Sequence, residues 1–291
     1  MIICIVGPTA SGKSDLALKI ADFYEAKIVN FDAFQIYKEM NIGTAKPSKE
    51  ELESRKYFLY DMIDINENFD VSKYQKLGRE FINNHKNENL IFVGGTGLYL
   101  KALLYDYKFE KEEPMPSDYL SDQTNEELFN KLFLIDKEDA IKIGKNNRKR
   151  LLRALYIFKI HGKTKSDLNS NGKEKLLYDD VYFIGLDIPR EALYEKINKR
   201  VDEMISLGLE KEATDLFLEY GNNKRALQAI GYKEFNNNEL SLEEKIDLIK
   251  KNTRNYAKRQ MTFFKHQFSD IKWFNSINEA LEYGKNIRCK N

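Results

Sequence analysis

The octapeptide Gly7-Pro8-Thr9-Ala10-Ser11-Gly12-Lys13-Ser14 follows directly on the apolar run Ile2–Val6, and no other feature of the chain restricts its fold as much. It fits G-x-x-x-x-G-K-[ST], a loop whose glycines let successive backbone N–H groups curl round a phosphate. A helix starting at such a loop adds its partial positive charge. Lys13 adds a full charge, and the Ser14 hydroxyl suits Mg²⁺. The spacing predicts a strand before the loop and a helix from Asp15 to about Tyr24 after it. A chance glycine turn would have neither flank.

The pattern continues in the same style. Short apolar runs at 27–31, 59–63 and Leu90–Val93 read as buried strands. Before the last of them, Val71, Tyr74, Leu77, Phe81 and Ile82 share one helical face, with Asp70 placed to cap it. Strands alternating with helices mean a parallel sheet with crossover connections. A charged, proline-broken stretch at 110–116 ends this pattern, and helical periodicity without a strand follows to about residue 170. After the polar linker 169–175, Val181–Leu186 resumes strand character. Leu193, Ile197, Val201 and Met204 then mark an amphipathic helix. Ser241 with Glu244 and Ser276 with Glu279 have the spacing of capping boxes. The expected fold is therefore α/β: a P-loop NTPase-like parallel sheet flanked by helices, interrupted by an all-helical insertion domain. The expected boundaries are 1–110 and 176–291 for the core and 111–175 for the insertion.

A net charge of +1 from 47 basic and 46 acidic residues does not by itself announce a nucleic-acid partner. Two cysteines, Cys4 and Cys289, and three histidines offer no zinc spacing, so reduced thiols and a cytoplasmic setting are expected. Ile2–Val6 is too short for a signal peptide and no run is long enough to span a membrane.

The loop does not name a reaction. Most such proteins act on the γ-phosphate of a nucleotide. Here, however, Leu90–Val93 runs into Gly94-Gly95-Thr96-Gly97 instead of a Walker-B acid, and no guanine-specifying N-K-x-D occurs. Asp32 falls just past the second strand, on the carboxyl edge where open α/β sheets bind ligands. A lone Asp there can equally be a turn or cap residue. Its surroundings, Asn30-Phe31-Asp32-Ala33-Phe34-Gln35-Ile36-Tyr37, alternate polar groups with aromatics, which suits stacking on a base and bonding to its edges.

This segment and the P-loop closely resemble the tRNA dimethylallyltransferases, or tRNA isopentenyltransferases, of the bacterial type. Their pattern is GPTASGK[ST], then D-S-x-Q-x-Y, then M-x-I-G-T-A-K-P. Further matches are 94–99, 150–155, 229–234 and 253–260, so the resemblance runs from Ile3 to about Trp273. Ala33 stands where the family usually has Ser. Tyr57-Phe58 replaces a common His pair, Phe263 replaces a frequent Trp, and the first part of the insertion, 111–136, is short.

The resemblance implies transfer of a dimethylallyl group from its diphosphate to N6 of the adenosine on the 3′ side of the anticodon. Gly7 to Ser14 and Arg200 would hold the diphosphate with Mg²⁺ on Ser14. Lys13, Ser14 and Asp32 would be catalytic, with Asp32 taking an N6 proton. Gln35 and Thr96 would hold the flipped adenine, and Asp32, Ala33 and Phe34 would also touch the tRNA. Lys149, Arg150, Leu151, Leu152 and Arg153, then Gln228, Ala229, Ile230, Gly231, Tyr232 and Lys233, then Lys258, Arg259, Gln260 and Lys265, would touch the tRNA anticodon stem-loop. A monomer is expected.

Two windows without an acid support an RNA partner. From 140 to 166 there are nine basic residues: Lys142, Lys145, Arg148, Lys149, Arg150, Arg153, Lys159, Lys163 and Lys165. From 248 to 269 there are Lys250, Lys251, Arg254, Lys258, Arg259 and Lys265. Solvated helix faces are the bland alternative, phosphate-backbone contact the functional one. An isopentenyltransferase acting on free AMP would have little use for these windows. A small-metabolite kinase would need an acceptor site that nothing here marks. A non-catalytic RNA-binding module would not need Asp32 at the mouth of an intact P-loop.

Overall fold

The structure, a computed structural model, describes residues 1–54, 57–107, 109, 115–164, 167 and 175–287. Most of the 110–116 stretch and of the 169–175 linker, together with Lys165 and Cys289, lies outside them. The chain divides into two compact units, one formed by Met1–Tyr105 with Leu176–Asn291, the other by Asp106–Lys175.

In the first unit β1 (Ile2–Val6), β2 (Lys27–Asn30), β3 (Tyr57–Phe58), β4 (Leu90–Val93), β5 (Val181–Leu186) and β6 (Lys272–Phe274) make one sheet in the order β3-β2-β4-β1-β5-β6. Every pairing is parallel. A parallel sheet needs cover on both faces, and the alternation along β1 shows where the cover lies. Ile3 and Ile5 join Leu16, Ile20 and Ala280 in one core. Cys4 and Val6 join Phe31, Tyr74, Phe92 and Phe264 in the larger core on the other face. Burial pushes the Cys4 thiol up, which keeps it protonated and inert.

Helices α1 (Lys13–Tyr24), α2 (Lys49–Ser54), α3 (Val71–Asn84) and α4 (Gly97–Leu104) belong to the first half of this unit. Asp70 caps α3, accepting from the N–H groups of Ser72 and Lys73. The helical unit contributes α5 (Asn125–Ile135), α6 (Lys137–Ile143) and α7 (Arg148–His161) around Leu128, Leu132, Leu151 and Leu155. The first unit then resumes with α8 (Arg190–Ser206), α9 (Leu209–Tyr220), the long α10 (Leu242–Gln267) and α11 (Ile277–Lys285). No described helix is long and apolar enough to cross a membrane.

Two sequence readings need correction here. The run 59–63 is not a strand: β3 ends at Phe58, and Leu59 and Asp61 have φ of 63° and 50°, which breaks an extended ladder. Leu59 is instead buried in a turn, and Ile63 bridges Tyr37. Ser241 and Glu244 form the expected capping box. Ser276 does not, because its hydroxyl accepts from the N–H of Asn278, one position too early. Phe58, standing in for a histidine pair, packs on Phe81 and His85 at 4.9 and 5.9 Å between ring centres.

Candidate active site at the carboxyl edge of the sheet

Strands β1, β2 and β4 deliver three loops to one edge. The first runs from Gly7 to Gly12, with φ of 147° at Gly7, 61° at Ala10 and 90° at Gly12. A Cβ on Gly7 would lie 2.9 Å from the Leu186 carbonyl oxygen on β5, so the turn needs glycine for space as well as for angle. The Lys13 ammonium closes the loop on itself by donating to the Pro8 carbonyl at 2.6 Å. Ser11 is fully buried, and its hydroxyl has no partner among the described residues. Ser14 is exposed on the first turn of α1.

The second loop carries Asp32. Asn30, fully buried, orders it: its Oδ1 accepts from the Asp32 N–H at 2.8 Å and its Nδ2 donates to the Leu59 carbonyl at 2.9 Å. Asp32 Oδ1 then accepts from the Phe34 N–H at 3.0 Å, an Asx turn that fixes the carboxyl group. Oδ2 lies on the other side, 3.0 Å from where a Cβ on Gly95 would be. Gly95 belongs to the third loop. Its neighbour Gly94 passes so close to Asp32 that a Cβ there would sit 2.8 Å from the Asp32 nitrogen. Thr96 joins the second and third loops, its hydroxyl accepting from the Ala33 N–H at 3.0 Å.

The charges converge on this mouth. Burial first, and then the Arg200 charge on α8, lower the Lys13 pKa to about 7, with Asp32 opposing both. Arg200 is itself lowered by burial, with Glu203, Asp15 and Asp32 acting in the other direction. Lys13, Arg200 and Asp32 are therefore close enough to feel one another electrostatically. Burial, then the Asp32 charge, pushes the Tyr256 phenol up, so it stays protonated beside the acid. Among the described residues no group of three His, Cys, Asp or Glu side chains could cage a metal. Mg²⁺ with a diphosphate needs no cage: it keeps waters, takes phosphate oxygens and requires one or two protein oxygens. The exposed Ser14 hydroxyl beside Lys13 fits that demand.

Other sequence-predicted residues divide sharply. Gln35 spends its side-chain N–H groups on the carbonyls of Thr44 and Ala45, at 2.9 and 3.1 Å, so it shapes the 41–46 loop. Glu212 on α9 grips the same loop, accepting from the N–H groups of Asn41, Ile42 and Gly43 and from the Tyr232 hydroxyl. In the segment 228–233 only Gln228 and Lys233 are exposed. Ala229 and Tyr232 are core residues, Ile230 is half-buried, and Gly231 supplies a φ of 96°. On α7, Lys149, Arg150 and Arg153 are exposed, Leu152 is half-buried and Leu151 is wholly buried. Arg148 holds the carbonyls of Leu120, Ser121 and Gln123 within the helical unit.

On α10, Lys258 and Arg259 are exposed, whereas Arg254 is tied to Asn198 at 2.7 Å and Lys265 to Asp187 at 2.7 Å. Gln260 is buried (5 % exposed) and turned into the active-site edge. Phe263 packs on Gly97, where a Cβ would meet its ring at 2.4 Å. Leu151, Ala229, Tyr232 and Gln260 thus cannot present side chains to an outside partner in this conformation. Sequence reading missed Tyr256, Glu212 and the part played by Gln260. A polar residue on the apolar stripe Ala257, Gln260, Phe264 was the available signal for the last.

The family model described as IPP transferase matches residues 35–267. A tRNA dimethylallyltransferase of Malacoplasma penetrans is 39% identical over 99% of this chain and 96% of its own length. One of Caldanaerobacter subterraneus subsp. tengcongensis is 42% identical over 94% and 91%. Among solved structures, the tRNA Δ(2)-isopentenylpyrophosphate transferase of Staphylococcus epidermidis superposes with a TM-score of 0.70 at 34% identity, covering 97% of this chain and 96% of that one. A eukaryotic dimethylallyltransferase acting on tRNA gives a TM-score of 0.81 at 26% identity, over 100% of this chain and 81% of that one. Matched by the family model over most of its length and by such relatives almost end to end, the chain belongs to the IPP transferase family.

Proposed function

We propose that this chain transfers a dimethylallyl group from dimethylallyl diphosphate to N6 of the adenosine on the 3′ side of the anticodon in tRNA, releasing diphosphate. The observation that carries the reading is the convergence of Lys13, Arg200 and Asp32 at one mouth. The names of the relatives support the substrates.

Diphosphate leaves only if its growing negative charge is neutralised. Lys13, the loop N–H groups and Arg200 supply that. Mg²⁺ held at Ser14 would add charge neutralisation of the leaving group. The adenine N6 lone pair is delocalised into the ring, so attack needs loss of a proton. Asp32 Oδ2 accepts it as the N6–carbon bond forms and the carbon–oxygen bond breaks. The base must leave its stack to reach this edge. Exposed Lys149, Arg150 and Arg153 on the helical unit and Lys258 and Arg259 on α10 serve the phosphate backbone of the anticodon stem-loop, and the enzyme works as a cytoplasmic monomer. Radiolabelled dimethylallyl diphosphate incubated with tRNA, with AMP and with neither tests the reading. Label in tRNA alone is expected, and label in AMP alone would replace it with a free-nucleotide enzyme.

Replacing Lys258 and Arg259 by glutamine is expected to weaken tRNA binding and to lower its log–log salt slope by roughly 0.7–0.9 for each phosphate no longer neutralised. Binding isotherms across a salt series measure this. An unchanged slope would return both residues to the class of solvated surface charges.

Lys13 makes diphosphate binding pH-dependent. Its pKa is lowered to about 7, chiefly by burial, and an anion beside it raises that value. Below pH 7 the ammonium is already charged; above it, binding must take up a proton. Affinity for dimethylallyl diphosphate is therefore expected to fall as pH rises from about 7 towards the higher pKa of the complex. Calorimetry in buffers of different ionisation enthalpy reads the proton directly. Zero uptake at pH 8 would contradict the assignment.

A further inference from the structure

Gln260 joins the P-loop to the neighbouring loop after β4, which abuts the catalytic carboxylate. Its Oε1 accepts from the Thr9 N–H of the P-loop at 2.8 Å, and its Nε2 donates to the Gly95 carbonyl at 2.9 Å. The two partners fix the amide orientation, since an N–H can only be met by oxygen and a carbonyl only by nitrogen. The side chain is buried on α10 between Ala257 and Phe264, both within the core. A Cβ on Gly95 would lie 2.3 Å from Gln260 Nε2, 3.0 Å from Asp32 Oδ2 and 3.5 Å from the Tyr256 hydroxyl. One amide group thus touches the diphosphate loop and the loop that abuts the acid. The two residues before it, Lys258 and Arg259, are exposed to solvent.

We infer that Gln260 is a positioning residue that fixes the distance between the bound diphosphate and Asp32, and that it makes no contact with RNA. Resting on the transferase reading above, the inference deepens it. The nucleophile and the leaving group must lie on opposite sides of one carbon, so the P-loop and the Asp32 loop need a fixed separation. No strand hydrogen bond sets that separation, because both loops have already left the sheet. Gln260 sets it from a third element, and that element is the helix whose outer face carries Lys258 and Arg259.

The test uses three variants of the full chain, Gln260→Met, Gln260→Glu and Gly95→Ala. Gln260→Met keeps the length and burial but loses both hydrogen bonds. It is expected to lower kcat by about 10²-fold, the scale of a misplacement near 1 Å, and to weaken binding of dimethylallyl diphosphate measured without RNA. Affinity for the anticodon stem-loop should not change. Gly95→Ala leaves Gln260 in place but forces its amide away, so it should reproduce the same split. Gln260→Glu provides a readout that mere stability would not. A protonated glutamic acid restores both bonds, its carbonyl oxygen accepting from Thr9 and its hydroxyl donating to Gly95. An ionised one loses the second bond and places a charge near Asp32. Burial and Asp32 raise its pKa, against the nearby Lys13 and Arg200. Its activity relative to the parent should therefore rise as pH falls, whereas that of Gln260→Met should not.

Loss of stem-loop affinity with diphosphate binding intact would overturn the inference in favour of an RNA contact. A uniform loss of activity that tracks melting temperature in all three variants, with no acid rescue, would reduce Gln260 to a packing residue. If the parent protein itself fails to label tRNA, the transferase reading falls. The diphosphate-binding arm still decides whether Gln260 organises the loop.

Discussion

Asp32→Asn is expected to lose about 10²–10⁴-fold in kcat, the worth of positioned acid–base catalysis, with little change in the KM of either substrate. The backbone engages Oδ1 of this carboxylate, through the Phe34 N–H. Asparagine can keep that bond through its own oxygen and so preserve the Asx turn. What it cannot supply is a basic Oδ2. Asp32→Ala should be as inactive and should also melt lower, because the turn loses its acceptor. Paired measurements of kcat and melting temperature separate the two duties of the side chain. An active, normally stable Asn variant would remove Asp32 as the base and leave it a turn residue only.

Lys13→Ala is the other large effect. Removing one full charge aimed at a leaving group costs on the order of 10²–10³-fold in kcat, the loss seen when a single preorganised donor is deleted. The stem-loop should still bind, since no exposed basic residue of α7 or α10 depends on Lys13. Turnover and stem-loop affinity measured on one preparation test this division. A parallel collapse of both in a folded variant would mean that the P-loop helps to hold the RNA. Loss of the Lys13 donor also releases the Pro8 carbonyl, and the unbalanced loop gives a reason to check melting temperature alongside.

Much of this was legible in the sequence because a buried parallel strand leaves an unbroken apolar run. β1 and β4 were marked that way, β2 and β5 by shorter apolar stretches, and the glycine-rich turn after β1 needed no other signal. The run at 59–63 looked the same but has two left-handed residues, and side-chain hydrophobicity carries no information about φ. β6 escaped because three residues, one of them Lys272, cannot make a period. Asp32 was visible through its place at a strand end. Gln260 was misread for a different reason: it sits among basic residues in the chain, but a helix turns each successive side chain by about a quarter of a circle. The family resemblance carried it over together with Lys258 and Arg259, which are exposed where Gln260 is buried. Leu151, one position past Arg150, fails the same way.

The strand order has a temporal meaning as well. Ile2 on β1 is paired with Leu90 on one side and Val181 on the other. On a ribosome working at roughly 5–20 residues per second, β1 emerges about 10–35 s before its second neighbour does. Until then one side of the strand that ends in the P-loop stays unpaired, apolar on both faces and open to wrong partners. The helical unit, Asp106–Lys175, is made wholly within the wait, and its core among the described residues, from Tyr119 to Leu155, can form without β5. The nascent chain is therefore most exposed to aggregation while one of its two units can already be finished, and the arrival of Val181–Leu186 covers the open side of β1 before β6 and the last helices complete the other unit.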